Sequence, residues 1–134
     1  MNKNSPATLI ADGEYCCDHV KIIELAKKGA IDCLIMDPES YGFTGWRKLI
    51  KECEGSKIQC SPHCWGTSVK TFSIGHLAAA FSQICPTIEG APDTIEGVDF
   101  SGYEIKNGIL NISDKSGFGM ELEYFSPVDI YRPY

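Results

Sequence analysis

Cys60-Ser61-Pro62-His63-Cys64-Trp65-Gly66 decides how this chain of 134 residues is read. The apolar run from Lys57 to Cys60 predicts a strand, and Pro62 ends it because proline cannot keep donating to a ladder. A helix is predicted to begin near Ser68. His63 therefore falls between a strand end and a helix start, where parallel α/β proteins carry their chemistry.

Working outward, the same strand–helix alternation recurs on both sides. Thr8 to Ala11 is a short apolar run stopped by Asp12-Gly13-Glu14. Asp18 caps the helix that follows, with Val20, Ile22, Ile23, Leu25 and Ala26 as its apolar stripe and Gly29 as its stop. Ile31 to Met36 is almost wholly apolar and fits a strand buried on both faces of a parallel sheet. Asp37-Pro38 ends it. Thr44 is the expected cap of a second helix, in which Trp46, Leu49, Ile50 and Cys53 recur at i, i+3, i+4 and i+7. Gly55 closes that helix.

Beyond His63, a third helix is expected from Ser68 to Gln83. It is apolar nearly all round, so it is either buried in the fold or packed on a partner. Thr87-Ile88 reads as a fourth strand, ended by Glu89-Gly90. Ile10, Leu34, Ile58 and Ile88 lie 24, 24 and 30 residues apart, the period of βα units. Residues 1–90 are thus read as about four βα units and residues 91–134 as a tail. In the tail, Tyr103 to Ile105 and Ile109 to Ile112 flank Asn107-Gly108, a hairpin signal. Ser116 to Tyr134 reads as loop, with a short strand at Met120 to Leu122.

The balance of 12 basic and 18 acidic side chains gives a net charge of −6 with no Lys/Arg block. That argues against a nucleic-acid or anionic-membrane surface. No apolar run nears the roughly 20 residues of a membrane span, and Met1 to Pro6 has no signal-peptide apolar region. The expected location is the cytoplasm. Seven cysteines at irregular spacing do not make a disulfide framework. Two clusters suggest metal: Cys16-Cys17 with His19, and Cys60 with His63 and Cys64. Zinc sites prefer paired cysteines about two to four residues apart; adjacent Cys16-Cys17 is not that pattern, and Cys60 and Cys64 come nearer. Reduced, buried thiols are the simpler reading.

Glu14, Asp37, His63 and Glu89 each follow a predicted strand. Parallel strands carry these ends to one rim, which in a (β/α) barrel is the active-site rim. Singly, each has an ordinary reading as a turn former or solvated carboxylate. Four ionisable groups on successive strand ends make a site.

At these residues the sequence resembles the enolase superfamily, in its mandelate racemase/muconate lactonizing branch. The segments that carry the likeness are "IADGEY" (10–15), "GAIDCLIMDPESYGFTGW" (29–46), "SPHCWG" (61–66), "GHLAAAF" (75–81), "IEG" (88–90) and "DKSGFGMEL" (114–122). The resemblance implies the C-terminal half of a (β/α)8-type barrel followed by a β-hairpin tail. It implies that Glu14 is the last of three carboxylate ligands to a catalytic Mg2+. It implies that Asp37 and His63 are an aspartate–histidine dyad, with His63 the base or acid, and that Glu89 helps hold substrate or donates a hydrogen bond. His76 is expected to be structural. The implied chemistry is removal of the proton α to a carboxylate, giving racemisation or, with loss of a β-hydroxyl, dehydration. "YGFTGW" and "SPHCWG" are similar to acid-sugar dehydratase members.

The chain also departs from the family. A whole barrel takes about 250 residues. The strands that would carry the other two metal carboxylates and the lysine base opposite His63 are missing, and so is the capping domain. Lys115-Ser116 stands where many members have a proline-glycine step, and the loop after Asp37 is one residue short of the double-glycine form. The expected consequence is a chain inactive alone, which self-associates or complements an N-terminal half. The alternative is a small Cys/His metal-binding or partner-binding protein.

Overall fold

The computed structural model describes residues 8–15, 18–91 and 95–123. Three parallel strands, β1 (Ala11–Asp12), β2 (Cys33–Leu34) and β3 (Gln59–Cys60), form a sheet in that order. Asp12, Leu34 and Cys60 share one register row. Pairing extends past the short strands: Ile35 N–H donates to Asp12 O at 3.1 Å and Ser61 N–H to Leu34 O at 2.9 Å. Residues just beyond that row therefore sit on a common rim.

Helices cover the sheet. In α1 (His19–Lys27), the Asp18 carboxylate accepts from Lys21 N–H at 3.0 Å and relieves an unpaired donor of the first turn. Ile22 and Ala26 are buried, whereas Val20, expected in the stripe, is exposed. Asp37-Pro38 does more than end a strand. The Asp37 carboxylate accepts from Glu39 N–H at 2.7 Å and starts a one-turn helix, α2 (Pro38–Tyr41), with proline at its tolerated first position. Next is α3 (Phe43–Cys53), burying Trp46, Leu49, Ile50 and Cys53 as the periodicity requires. Its cap position is Gly42, and Thr44 lies inside the first turn.

The last helix, α4 (Ser68–Ala80), stops three residues before the expected end. Residues 81–84 turn instead, with Ile84 N–H donating to Phe81 O at 2.9 Å. Thr87-Ile88 does not form a strand. The neighbour of β3 on that side is the Ile84 carbonyl, which accepts from Cys60 N–H at 2.9 Å, and Ile88 packs against the core. A strand exists only as a pairing, and the proline at 86 removes one donor from this segment.

The apolar surround of α4 is explained within the fold. One side, with Leu77 and Ala78, joins the core under Leu34, Met36, Trp46 and Ile50. The other meets the tail: Phe72 stacks on Tyr103 at 4.3 Å and meets Phe100 edge-on at 5.1 Å. Gly75 allows that approach, since a Cβ there would come within 2.6 Å of Leu110 Cδ2. The tail pairs β4 (Val98–Asp99) with β7 (Glu121–Leu122), antiparallel. Between them, β5 (Glu104–Lys106) and β6 (Ile109–Asn111) form a hairpin. Asn107 and Gly108 both have positive φ, 53° and 75°, the backbone a two-residue turn of this hand needs. No helix among the described residues is long and apolar enough to cross a membrane.

Candidate active site

The rim brings together Glu14, His63 and Glu89, with Asp37 beside them. Each position has a local cause. Gly13 follows β1 with φ +123°, open to glycine but rarely to other residues. Its N–H donates to Asp12 Oδ1 at 2.7 Å, and a Cβ there would lie 3.1 Å from Met36 Cγ. This turn aims Glu14 over the sheet end. His63 is tied to the segment just after β2 by its N–H, which donates to Met36 O at 3.3 Å.

The His63 ring is buried, with 7% of its side chain exposed. Its Nε2 lies 3.9 Å from Glu14 Oε1. The Glu89 carboxylate abuts Nδ1 but lies out of line for a hydrogen bond. Glu89 is instead held by Cys64 N–H, which donates to its Oε2 at 3.0 Å. A buried imidazole between two carboxylates can take up a proton and have the resulting charge met from both sides.

Asp37 is bound elsewhere. Its Oδ2 accepts from Lys70 Nζ at 2.5 Å and its Oδ1 from Glu39 N–H. Among the described residues, none of its hydrogen bonds goes to His63. Burial pushes the Asp37 carboxyl up. The Lys70 hydrogen bond, the Glu39 N–H and the charges of Lys70 and His63 outweigh that effect and hold it below the usual carboxylate range. A carboxyl lowered on folding stabilises the fold above its unfolded value, and the contribution fades as pH falls through the folded midpoint. Stability is therefore expected to drop below about pH 4. Chemical denaturation across that range measures it, and the drop should shrink in Lys70→Met.

Lys70 was not singled out by the sequence reading. The signal was present: it is the sole lysine or arginine in α4, in a first turn whose dipole disfavours cations. Such a lysine needs a partner carboxylate.

Of the two expected metal clusters, Cys60 with His63 and Cys64 does not assemble among the described residues. Cys16 and Cys17 lie outside the described residues. Among the described residues, no three His, Cys, Asp or Glu side chains are placed to hold a metal ion. The Cys60 thiol meets Cys53 and Cys85 in the core, and hydrogen bonding to them, with burial, pushes it up. Cys33 is pushed up to about 11, chiefly by burial. All four thiols, Cys33, Cys53, Cys60 and Cys85, are buried in the core. The same finding bears on Mg2+: among the described residues Glu14 belongs to no group of three such side chains, and Mg2+ demands near-octahedral oxygen coordination. The described residues do not fit a complete Mg2+ site.

A cavity of about 380 Å³ opens away from the rim, between α4 and the hairpin, lined by Gly75, Ala78, Pro86, Ile88 and Leu110. It has no carboxylate, histidine or lysine in its wall.

A family model, described as enolase C-terminal domain-like, matches residues 3–125. The chain belongs to this family. Among solved structures, this enolase C-terminal domain-like chain is similar to galacturonate dehydratase from Geobacillus sp., complexed with D-galacturonate and 5-keto-4-deoxy-D-galacturonate. The match has 36% identity and a TM-score of 0.72, over 87% of this chain and 31% of that one. It is also similar to a mandelate racemase/muconate lactonizing protein from Geobacillus sp. Y412MC10, complexed with magnesium/tartrate. That match has 36% identity and a TM-score of 0.70, over 85% and 29% of the two chains. A mutant of the galacturonate dehydratase, complexed with Mg, matches at 35% identity and a TM-score of 0.71, over 86% and 29%. The chain thus spans about a third of the length of these neighbours. No curated protein matches it.

Proposed function

We propose that this chain supplies the acid/base rim of an acid-sugar dehydratase of the mandelate racemase/muconate lactonizing type, and that it works only with the barrel strands it lacks. The observation that carries the reading is His63, buried at a strand end between Glu14 and Glu89, in a chain of this family. His63 takes or gives the proton on the carbon α to a substrate carboxylate. Once protonated, it can return that proton to a departing β-hydroxyl, which leaves as water. The product is an enol that becomes a 2-keto acid. The same rim would serve a racemase if an acid from outside this chain instead protonated that carbon on the face opposite His63.

Asp37 acts as a fixed negative charge near His63. Glu89, held by Cys64 N–H, faces Nδ1 and offers a hydrogen-bonding group to substrate. Glu14 would contribute one Mg2+ ligand, and the remaining ligands would have to come from outside this chain. The charge that grows on the substrate carboxylate must likewise be met from outside. A rim so divided is inert alone.

The open sheet supports an assembled state. Both residues of β1 are exposed, and among the described residues β1 pairs only with β2. Such an edge templates another strand. Exposed Leu9 lies just before it, and Tyr15 and Trp65 stand exposed on the rim. Sedimentation at micromolar concentration is expected to show a species larger than one chain. A monodisperse monomer would count against assembly.

The function is tested by complementation. The chain is mixed with the N-terminal two-thirds of the Geobacillus galacturonate dehydratase, and acid sugars are screened with Mg2+ for 2-keto acid. Turnover that needs both parts supports the reading. Failure of a co-folded, stoichiometric complex to act on any acid sugar rejects it.

A further inference from the structure

We propose that the first turn of α4 is the positioning element of the rim, with Lys70 fixing Asp37 and Thr71 fixing the loop that carries Glu89. The inference builds on the proposed function for its catalytic meaning, but its geometry stands by itself.

Two neighbouring residues on one helical turn reach two loops on either side of His63. Lys70 Nζ binds Asp37 Oδ2 at 2.5 Å and lies 3.8 Å from Glu39 Oε1. Its side chain is only 10% exposed, so the ammonium is committed to this place. Asp37 is faced by Lys70 from α4, by Glu39 from α2 and by His63 from the segment after β3. Of these, Lys70 and the Glu39 N–H fix its two oxygens. The carboxylate can then neither rotate nor take a proton easily. It acts on His63 as a fixed charge rather than as a proton acceptor.

Thr71 holds the other side. Its buried hydroxyl accepts from Ala91 N–H at 2.9 Å. Its own proton goes to a carbonyl, Ala91 O at 3.2 Å or Thr67 O at 3.4 Å. Cys64 Sγ is 3.1 Å from Thr71 Oγ1. Cys64 and Ala91 bracket the Glu89 contact, since Cys64 N–H donates to Glu89 and Ala91 is two residues beyond it. One hydroxyl thus clamps both the donor that holds Glu89 and the turn that presents it.

The test uses the whole chain in solution, with four variants. The Asp37 carboxyl is followed by its 13C shift against pH. Lys70→Met is expected to raise its midpoint by about one pH unit, while Lys70→Arg, which keeps the cation, restores it to within a fraction of that. Thr71→Val is expected to speed amide exchange at Ala91 and Cys64 about tenfold, with Thr71→Ser restoring protection. Core amides such as that of Ile50 should be unchanged. An Asp37 midpoint that ignores Lys70→Met overturns the proposal. So does exchange in Thr71→Val that rises equally across the core, which marks a packing role only. The functional reading has a separate readout. If these shifts appear but the complemented enzyme turns over equally well with Lys70→Met, the rim is positioned as described and its catalytic meaning is wrong.

Discussion

His63→Asn, in the chain assembled with its complementing strands, is expected to cut acid-sugar turnover by about a hundredfold to ten-thousandfold while leaving the fold intact. Positioned proton transfer is worth about 10²–10⁴ in rate, and asparagine has no proton to exchange near neutral pH. The fold survives because the backbone contacts of this position do not need the ring. The N–H still reaches Met36 O, and Cys64 N–H still holds Glu89. Circular dichroism and a melting curve check the fold, and a 2-keto acid assay checks the rate. Unfolding on substitution would instead identify a structural histidine.

Trp46→Ala is expected to be the most damaging core change. Trp46 is fully buried and meets Tyr41 edge-on at 6.0 Å. Truncation of a buried aromatic to alanine costs about 3–5 kcal/mol, a large part of the roughly 5–15 kcal/mol that holds a domain. A fall in melting temperature of about 10 °C or more should follow. The indole Nε1 has no hydrogen-bond partner among the described residues. Trp46→Phe removes that orphaned donor, whose burial costs about 1–3 kcal/mol, along with some packing volume. It should therefore destabilise far less than Trp46→Ala. A phenylalanine variant as unstable as the alanine one would show that packing alone governs this site.

The residues read most easily from sequence are those set by period and by strand-end logic. Trp46, Leu49, Ile50 and Cys53 declared their helix face because burial demands spacings of three and four. Glu14, Asp37 and His63 declared the rim because each follows an apolar run closed by a turn former. Other features depend on tertiary partners and were hidden. Asp37-Pro38 marks a strand end and a helix cap equally well, so α2 was invisible until Glu39 N–H was seen on the carboxylate. Thr87-Ile88 has strand composition, yet strand formation depends on a pairing that composition does not report. Lys70 and Thr71 lie 33 and 20 residues from Asp37 and Ala91, and only the packing of α4 on the rim brings them together. The dyad inferred from family resemblance illustrates the same limit. Sequence places Asp37 and His63 on adjacent strand ends, but the hydrogen bonds of Asp37 go to α4 and α2.

Titration calorimetry of Mg2+ into the chain alone tests the central claim most directly, that the rim is one part of a divided site. With no three-ligand group around Glu14 among the described residues, no binding heat is expected up to millimolar metal, with binding appearing once the complementing strands are added. Tight, stoichiometric binding by the chain alone, lost in Glu14→Gln, would contradict the account.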